Sequence, residues 1–204
     1  MCFTQPGLTI CVVNGMVIAE GTYYLSGTVD SMRDGPLAEY EIKVEVYPDY
    51  PETEPRVFET NGKIPEGRHL NPDGTCCTGV WEEWLSENKP PSFKAFCDGP
   101  LRDYFLSQHH YELTGEWPFG EREHGVKGVL AGCANVLGIE SDPHKVIDHL
   151  LLLQRPNFKG HWPCPCGSGQ IIRQCHGRTI FEMREKVPPK MAARMLSRMR
   201  RLIS

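Results

Sequence analysis

The sequence feature that most restricts the fold is a compact cysteine and histidine cluster, "CPCGSGQIIRQCHG". Its four candidate metal ligands follow the spacing Cys-x-Cys-x(8)-Cys-His and are Cys164, Cys166, Cys175 and His176. Three thiolates and one imidazole complete a tetrahedral zinc site and leave no coordination position open for a substrate. The spacing therefore predicts a small unit that closes around structural zinc. Reduced surface thiols without metal are the alternative.

The Cys-Pro-Cys-Gly-Ser-Gly core of this cluster resembles the SEC-C zinc-binding motif, named for the C-terminus of a bacterial secretion ATPase. The resemblance implies structural zinc in a unit that contacts other proteins. From Thr179 onward the pattern predicts one amphipathic basic helix. We expect this helix to be a docking element for an acidic partner or nucleic acid, or else a solvated basic face. Its basic residues include Arg184, Lys190, Arg194, Arg198, Arg200 and Arg201.

Composition excludes several classes of protein. The net charge of −4 gives no general indication of nucleic-acid binding, and no apolar run reaches the length of a membrane span. Nine cysteines, an odd number with several close spacings, argue against a secreted disulfide framework and for reduced thiols or metal. Nothing near the first residues resembles a signal peptide, so we expect a cytosolic protein.

The first part of the chain predicts an antiparallel sheet. Asn14-Gly15 between two apolar runs is the strongest short hairpin signal, because both turn positions tolerate a positive φ. The segments "TYYLSGTV", "AEYEIKVEVYP" and "RVFET" continue as strands, with "SMRDGP" as one turn. Prolines at positions 51 and 55 interrupt the ladder, because proline has no N–H to donate.

Helices follow the strands, which predicts an α+β fold. Helical spacing extends over "SFKAFCDGPLRDYFLSQHH", where Gly99-Pro100 is a candidate interruption. Further helices are predicted in "EREHGVKGVLAGCANVLG" and, after the capping sequence Ser141-Asp142-Pro143, in "HKVIDHLLLLQ". We place the domain boundary between residues 155 and 156. Residues 1–155 then form the larger domain, and 156–204 form the zinc motif with the basic C-terminal helix.

The stretch "RHLNPDGTCCTGVWEEW" contains two adjacent cysteines, Cys76 and Cys77, after a turn signal. Together with Tyr50-Pro51 and Pro55 upstream and a tryptophan downstream, at Trp81 or Trp84, it resembles the ubiquitin-conjugating enzyme fold over roughly residues 20 to 110. The order of these features matches that family's strand, Tyr-Pro, strand, His-Pro-Asn and Gly-x-x-Cys pattern. The resemblance implies a β-meander with helices and a cysteine that carries an acyl group as a thioester.

Two departures from the family pattern affect the predicted site. Leu70 replaces the proline that follows the histidine, and Asn71 precedes Cys77 by six residues, about two fewer than is usual. In the family this asparagine stabilises the oxyanion when an amine attacks the thioester. Asn71 is therefore either a catalytic residue or a turn residue of Asn-Pro-Asp-Gly. His69 is expected to support the loop through hydrogen bonds rather than act as an acid or base.

Matching by Gly-x-x-Cys makes Cys77 the predicted nucleophile. In an extended segment the side chain of Cys76 points the opposite way. The alternative is that both thiols are small apolar groups buried under the loop. Backbone N–H groups from Gly74 to Thr78 are candidate donors to the oxyanion. Trp81 and Trp84 are expected to pack, and Asp98 and Asp103 to be solvated.

The two resemblances together are typical of a bacterial ubiquitin-conjugating-like protein, similar to those encoded beside cGAS-like nucleotidyltransferases in antiphage operons. This implies transfer of the C-terminal glycine of the nucleotidyltransferase, or of a ubiquitin-like protein, through the cysteine to an amine. Because the chain has no nucleotide-binding loop, an activating partner or a preformed thioester is implied. The alternatives are a noncatalytic adaptor of the same fold, or an adaptor that contacts chaperones or ribosomes through the SEC-C motif.

Overall fold

The computed structural model describes residues 5–26, 35–88, 90–118 and 125–203. They form an α+β protein with one four-stranded antiparallel sheet and several helices, which confirms the predicted α+β class and the antiparallel sheet. The backbone contacts divide the chain into two compact units. The first combines Met1–Gly79 with Pro90–Glu121, and the second combines Val80–Lys89 with Arg122–Ser204.

The sheet is a meander in which each strand pairs with the next along the chain. The hairpin at Asn14-Gly15 is confirmed, because these residues have φ values of 52° and 80° and close the pair Val13↔Met16. The predicted "SMRDGP" turn lies largely outside the described residues. The strands are β1 (Leu8–Val13), β2 (Met16–Leu25), β3 (Ala38–Val46) and β4 (Arg56–Glu59).

Helical structure in the first unit continues across the predicted interruption. Helix α2 (Phe93–Phe96) passes into a π-helical turn (Cys97–Leu101) and then into α3 (Arg102–Thr114). Pro100 lies within the π-helical turn, where the wider spacing tolerates its missing N–H and its ring. Gly115 ends α3 with a φ of 74°, and its N–H donates to the carbonyl of Tyr111. Gly99-Pro100 therefore lies in a π-helical turn between two α-helices and does not end the helical segment.

The first unit buries one face of the sheet under these helices. Phe105 of α3 is fully buried, with its ring centroid 5.2 Å from that of Tyr23 and 4.6 Å from that of Tyr40. Tyr23 and Tyr40 are directly paired on β2 and β3, so they project from the same face. This packing holds α3 against β2 and β3, in the same sheet whose last strand bonds to the cysteine loop.

The second unit is helical. It contains α1 (Trp81–Glu87), α4 (Gly125–Leu137) and α5 (Pro143–Leu153). The predicted cap of α5 is confirmed, because the Asp142 carboxylate accepts a hydrogen bond from the N–H of Lys145 at 2.8 Å. Among the described residues, no helix has the combined length and apolar content needed to cross a bilayer.

The C-terminal segment forms two helices where one was predicted, α6 (Gly177–Lys186) and α7 (Pro189–Ile203). The break falls at Val187-Pro188-Pro189, because the prolines cannot donate the backbone hydrogen bonds that would continue α6. Residue 187 is fully buried at this break and joins the core beside Met183 of α6. The prolines therefore redirect the chain into the second unit.

Helix α7 belongs to the core of the second unit, so the expectation that it lies apart from the larger domain was wrong, whereas its docking role stays a prediction. Its apolar face packs against buried residues of α4 and α5, which the sequence analysis had assigned to the larger domain. The division of the chain therefore differs from the expected boundary between residues 155 and 156. The physical reason is a continuous apolar stripe on the basic helix, formed by Met191, Ala192, Met195, Leu196 and Met199.

A buried carboxylate also ties α7 to the second unit. Glu82 of α1 is only 3% exposed at its side chain, and its two oxygens lie 3.2 Å from nitrogens of Arg194 and Arg198. A buried charge needs such partners, because desolvation of an unpaired carboxylate is costly. These two arginines, which we expected to face a partner, therefore contribute to the fold.

Substituting Met195 tests the packing of α7. Met195 is fully buried, so Met195→Ala is expected to lower the free energy of unfolding by about 3 kcal/mol. Arg200→Ala, on the exposed side of the same helix, is the matched control and should leave stability nearly unchanged. Urea denaturation followed by circular dichroism measures both variants. Equal stability of Met195→Ala and the parent protein would contradict the packing.

Candidate functional site

The loop that carries the adjacent cysteines is a tight antiparallel turn. Leu70 and Cys76 form a β-bridge, and the N–H of Asn71 donates to the carbonyl of Thr75 at 2.8 Å. The turn closes through the N–H of Gly74, which donates to the carbonyl of Asn71 at 2.9 Å. Gly74 has a φ of 79°, a conformation that glycine adopts without a steric penalty. Asn-Pro-Asp-Gly therefore forms a turn followed by a bulge.

Asp73 stabilises this turn from within. Its carboxylate accepts hydrogen bonds from the hydroxyl of Thr75 at 2.6 Å and from the N–H of Thr75 at 3.1 Å. Arg56 on β4 contacts the other carboxylate oxygen at 3.2 Å. The Thr75 hydroxyl, its N–H and Arg56 together lower the pKa of Asp73. The charged form of Asp73 thus ties the turn to the sheet.

Cys76 is an interior residue of the loop. Its N–H donates to the carbonyl of Val57 on β4 at 2.7 Å, and only 5% of the residue is exposed. Burial raises the pKa of the Cys76 thiol to about 11, and the nearby hydroxyl of Tyr104 partly opposes this shift. The thiol is therefore protonated at neutral pH and poorly suited to nucleophilic attack.

Cys77 lies in a different environment from its neighbour. Its N–H donates to the carbonyl of His69 at 2.8 Å, while the residue itself is only half-buried. Side chains alternate between the two sides of an extended segment, which explains why one thiol is buried and the next reaches the surface. Of the adjacent pair, Cys77 is the thiol that can meet a partner molecule.

His69 and Asn71 both have structural contacts in the loop. His69 adopts a φ of 54°, and its ring lies edge-on to Trp117 with the centroids 4.4 Å apart. The side-chain amide of Asn71 donates to the hydroxyl of Thr75 at 2.9 Å. The contacts of Asn71 are those of a turn residue. His69 supports the loop through the carbonyl that accepts from Cys77.

The backbone N–H groups from Gly74 to Thr78 were candidate donors to an oxyanion, and this expectation was wrong. Each of the five already donates within the protein, three to carbonyls of the loop itself, one to a carboxylate of the loop and one to strand β4. Their acceptors, in chain order, are the carbonyl of Asn71, the carboxylate of Asp73, and the carbonyls of Val57, His69 and Cys76.

Helix α3 supports the loop through polar residues that the sequence analysis missed. The side-chain amide of Gln108 donates to the carbonyl of Arg68 at 2.8 Å, and Gln108 is only 1% exposed. Tyr104, one helical turn earlier, is also buried and acts on the thiol of Cys76. The only sequence signal was the i, i+4 spacing of these two residues, which places them on one helix face.

The remaining residues considered in the sequence analysis have structural contacts. Trp81 and Trp84 stack with ring centroids 4.6 Å apart in α1. Asp98 forms an ion pair with Lys94, and Asp103 is exposed with its carboxylate 3.8 Å from Arg102. These contacts agree with the expected packing of the tryptophans. Neither aspartate is buried as a catalytic carboxylate would be.

The four predicted ligands of the second motif are brought together in the second unit. One ligand atom from each lies within 4.8 Å of the others, as expected for a metal site. Cys166 Sγ lies 3.5 Å from Cys175 Sγ, and the Nδ1 atom of His176 lies 3.5 Å from Cys164 Sγ. In a tetrahedral site with zinc–sulfur bonds of about 2.3 Å, such atoms are about 3.6 to 3.8 Å apart. These two distances are close to that spacing, and the four residues are compatible with a metal site.

The ligand loop is shaped by its backbone. Pro163 and Ile171 form a β-bridge, and the N–H of Cys164 donates to the carbonyl of Gln170 at 2.8 Å. Gly167 and Gly169 have φ values of 79° and 75°, which allow the turn between the first ligand pair and the returning strand. The small residues of the motif therefore permit the four ligands to converge.

Hydrogen bonds and burial shift the pKa values of two sulfurs of this cluster in opposite directions. The hydroxyl and N–H of Ser168 lower the pKa of Cys166. Burial raises the pKa of Cys164, but the N–H groups of Cys166 and His176 act on this sulfur in the opposite direction. Backbone donors directed at sulfur stabilise its negative charge, which is the form that binds a metal.

The cluster rests on a small apolar core of its own. Leu152 from α5 packs with Cys164, Ile172 and Ile180 in this core. Arg184 of α6 donates to three carbonyls at the end of α5 and just beyond it, including those of residues 155 and 156 at 2.8 Å. This arginine, which we expected to face a partner, instead satisfies carbonyls that a helix end leaves unpaired.

The other cysteines have no second cluster among the described residues. Burial raises the pKa of Cys97 and of Cys133 to about 12, so both are neutral thiols. Cys11 is exposed on β1, and Cys2 lies outside the described residues. Cys133 is therefore an interior thiol, Cys97 is partly buried, and Cys11 is a surface thiol.

Comparison with known proteins gives no family assignment for this chain. No protein-family model matches it, and neither a curated protein nor a solved structure matches it. The geometry of the two cysteine sites therefore carries the functional argument.

Alkylation of the loop thiols tests their different environments. In a Cys77→Ala variant, the rate of Cys76 alkylation by iodoacetamide should be low at neutral pH and rise up to about pH 11, because burial raises the pKa of this thiol to about 11. In Cys76→Ala, Cys77 should be alkylated faster at neutral pH. Peptide mass spectrometry resolves the sites. Faster modification of Cys76 than of Cys77 at neutral pH would contradict the assignment.

Proposed function

We propose that this chain is a ubiquitin-conjugating-like transferase that carries a partner's C-terminal acyl group on Cys77 as a thioester and delivers it to an amine. The observation that carries this function is the half-buried Cys77 in a hydrogen-bonded loop that follows an antiparallel meander. Cys76 beside it is buried and protonated. Thiolates are strong nucleophiles, and thioesters remain reactive towards amines.

The proposed reaction has two acyl transfers. In the first, the Cys77 thiolate attacks the activated C-terminal carbonyl carbon of the partner, and the activating group leaves with its electron pair. In the second, an amine attacks the thioester carbonyl, the carbon–sulfur bond breaks, and the amine proton is lost to solvent or to a base. The sulfur is regenerated, so the chain is unchanged over the cycle.

The partner is proposed from the family resemblance. It is the C-terminus of a bacterial cGAS-like nucleotidyltransferase or of a ubiquitin-like protein, supplied by an activating enzyme or as a preformed thioester. The turn from Asn71 to Gly74, which shortly precedes Cys77 in the chain, is exposed, and the C-terminal tail of the partner would contact it. Antiphage defence is the corresponding biological setting.

The proposed transferase would differ from its proposed family in the hydrogen-bond donors that its loop offers to the oxyanion. The N–H groups of Gly74 to Thr78 are engaged, and the Asn71 amide is bonded to Thr75. In this conformation the oxyanion would receive hydrogen bonds from the bound partner or target. Catalysis would then depend on complex formation, because preorganised donors account for much of the rate in acyl transfer.

The same observation favours a second candidate function, a noncatalytic adaptor of the same fold. A loop whose N–H groups from Gly74 to Thr78 are all satisfied is a stable recognition surface and needs no acyl chemistry. The accessible thiol of Cys77 argues for the transferase, because an adaptor has no need of it. Thioester formation distinguishes the two functions.

We also propose that the Cys/His cluster holds one structural zinc ion. Three thiolates and one imidazole suit zinc in particular and complete its tetrahedral shell. The ion would stabilise a region whose own apolar core is small, with Leu152, Ile172 and Ile180 as its main aliphatic members. Its chemical role is to hold the loop and α6 in place.

Metal analysis tests the zinc assignment. The purified protein should contain one zinc ion per chain, and Cys164→Ser/Cys166→Ser should lose it, because two thiolate ligands are removed. Cys11→Ser removes an exposed thiol outside the cluster and should retain the metal. Elemental analysis after gel filtration gives the ratio. Substoichiometric zinc after zinc-supplemented expression, or unchanged zinc in the double variant, would exclude this site.

Loading of the cysteine tests the transferase. With the partner and any activating enzyme supplied, the parent protein should form an adduct that reductant removes, and Cys77→Ser should form a reductant-resistant ester. Cys76→Ala is the matched control and should load, because its thiol is buried. Non-reducing gels and intact mass measure the adducts.

The outcomes separate the candidate functions. Full loading of Cys77→Ala with loss of loading in Cys76→Ala would move the nucleophile to the buried thiol. Loading that survives in Cys76→Ala/Cys77→Ala would exclude conjugation at this loop. Partner binding without any adduct would support the adaptor.

A further inference from the structure

Strand β1 forms one edge of the sheet and is exposed over most of its length. Three of its apolar side chains are 49%, 67% and 47% exposed, namely Ile10, Val12 and Val13. Edge strands are usually protected by charge, proline or a covering segment, because their unpaired backbone groups can join another strand. The sequence of β1, LTICVV, contains neither charge nor proline.

The pairing of β1 with β2 shows which backbone groups face outward. The N–H of Thr22 donates to the carbonyl of Gly7 at 3.1 Å, and the register continues with Thr9↔Glu20 and Cys11↔Ile18. Hydrogen-bonded and non-hydrogen-bonded pairs alternate in an antiparallel ladder. Gly7, Thr9 and Cys11 therefore bond towards β2, whereas the N–H and C=O groups of Ile10 and Val12 point away from it.

We propose that β1 is a self-association edge, through which two copies of this chain pair antiparallel to form a continuous sheet. In this dimer Ile10 of one copy forms a hydrogen-bonded pair with Val12 of its partner, and the reciprocal pair follows from the two-fold symmetry. Cys11 of each copy lies at the symmetry axis. The inference concerns assembly and is independent of the proposed transferase activity.

Backbone geometry selects this register over its neighbours. A dimer centred on Ile10 would need the N–H of Leu8, which already donates to the carbonyl of Gln5 at 3.3 Å. A dimer centred on Val12 would pair Ile10 with Asn14, whose φ of 52° belongs to the hairpin turn. A dimer centred on Cys11 pairs Ile10 with Val12, and each of these residues directs both its N–H and its C=O away from β2.

Side chains and charge favour a second copy as the occupant. In the dimer, Ile10 of each copy lies opposite Val12 of the other on one face of the sheet. Four exposed apolar side chains are thereby brought into cross-strand contact. Glu20 is the only charged residue in β1 and β2, and it pairs with Thr9. The two copies of Glu20 would be at least about 14 Å apart across three strand spacings, beyond the screening length of about 8 Å. Repulsion between the two copies of Glu20 is therefore largely screened.

Sedimentation equilibrium of the full chain tests the dimer. The parent protein should show a concentration-dependent monomer–dimer equilibrium, and Val12→Lys should raise its dissociation constant at least about tenfold. Ile10→Pro removes an outward N–H but leaves the bonds to β2, so it should weaken the dimer without unfolding the sheet. Leu113→Lys, at a residue 73% exposed outside β1, is the control and should dimerise normally.

Cross-linking tests the register. Cys11 would form a non-hydrogen-bonded pair with its counterpart, with Cα atoms about 4.5 Å apart, and disulfides span about 4.4 to 6.8 Å. Diamide, which accepts the two protons and two electrons of the thiol pair, should therefore link Cys11 to Cys11 between isotopically distinct chains. Cys11→Ser should abolish this link and preserve the dimer. A monomer at all concentrations, a dimer unaffected by both Val12→Lys and Ile10→Pro, or a dimer without the Cys11 link would overturn the proposal.

Discussion

The hydrogen bond from the N–H of Cys76 to the carbonyl of Val57 ties the cysteine loop to the last strand of the meander. It fixes which side of the loop faces the core, because side chains alternate along an extended segment. Cys76 is consequently buried beside Tyr104, and Cys77 is half-buried. The position of the sheet in turn depends on Phe105, which packs on Tyr23 and Tyr40. The burial of Cys76 thus depends on its backbone hydrogen bond to β4 and on the aromatic cluster of Phe105, Tyr23 and Tyr40.

The second unit obtains its stability from different sources. A small domain with few apolar residues around its ligand loop needs an additional cross-link, and four converging metal ligands can provide it. Helix α7 supplies the larger apolar core with α4 and α5. Its basic residues have two different environments. Arg194 and Arg198 form ion pairs with the buried Glu82, whereas Lys190 and Arg200 are exposed. A basic segment can therefore be a core element when one of its faces is apolar.

The satisfied donors of the cysteine loop restrict the mechanism proposed for it. A turn that pairs all its N–H groups between Gly74 and Thr78 is well ordered, and it provides no preformed oxyanion site from them. An accessible thiol on such a loop fits a protein that holds an acyl group and relies on a bound partner to complete the reaction. This combination explains why an adaptor and a transferase share most of their expected structural features, and why acyl loading on Cys77 separates them.

The sequence by itself determined the elements that local chemistry specifies. Asn14-Gly15 requires a hairpin, the Asp142 carboxylate caps α5, and the Cys-x-Cys-x(8)-Cys-His spacing brings four ligands together. Only the tertiary structure decided features that depend on distant partners. These include the burial of Cys76 under Tyr104, the pairing of Glu82 with residues more than a hundred positions away, and the inclusion of α7 in a core with α4 and α5. The physical reason is that turns, caps and ligand spacing act over a few residues, whereas burial and charge pairing depend on which segments meet in space.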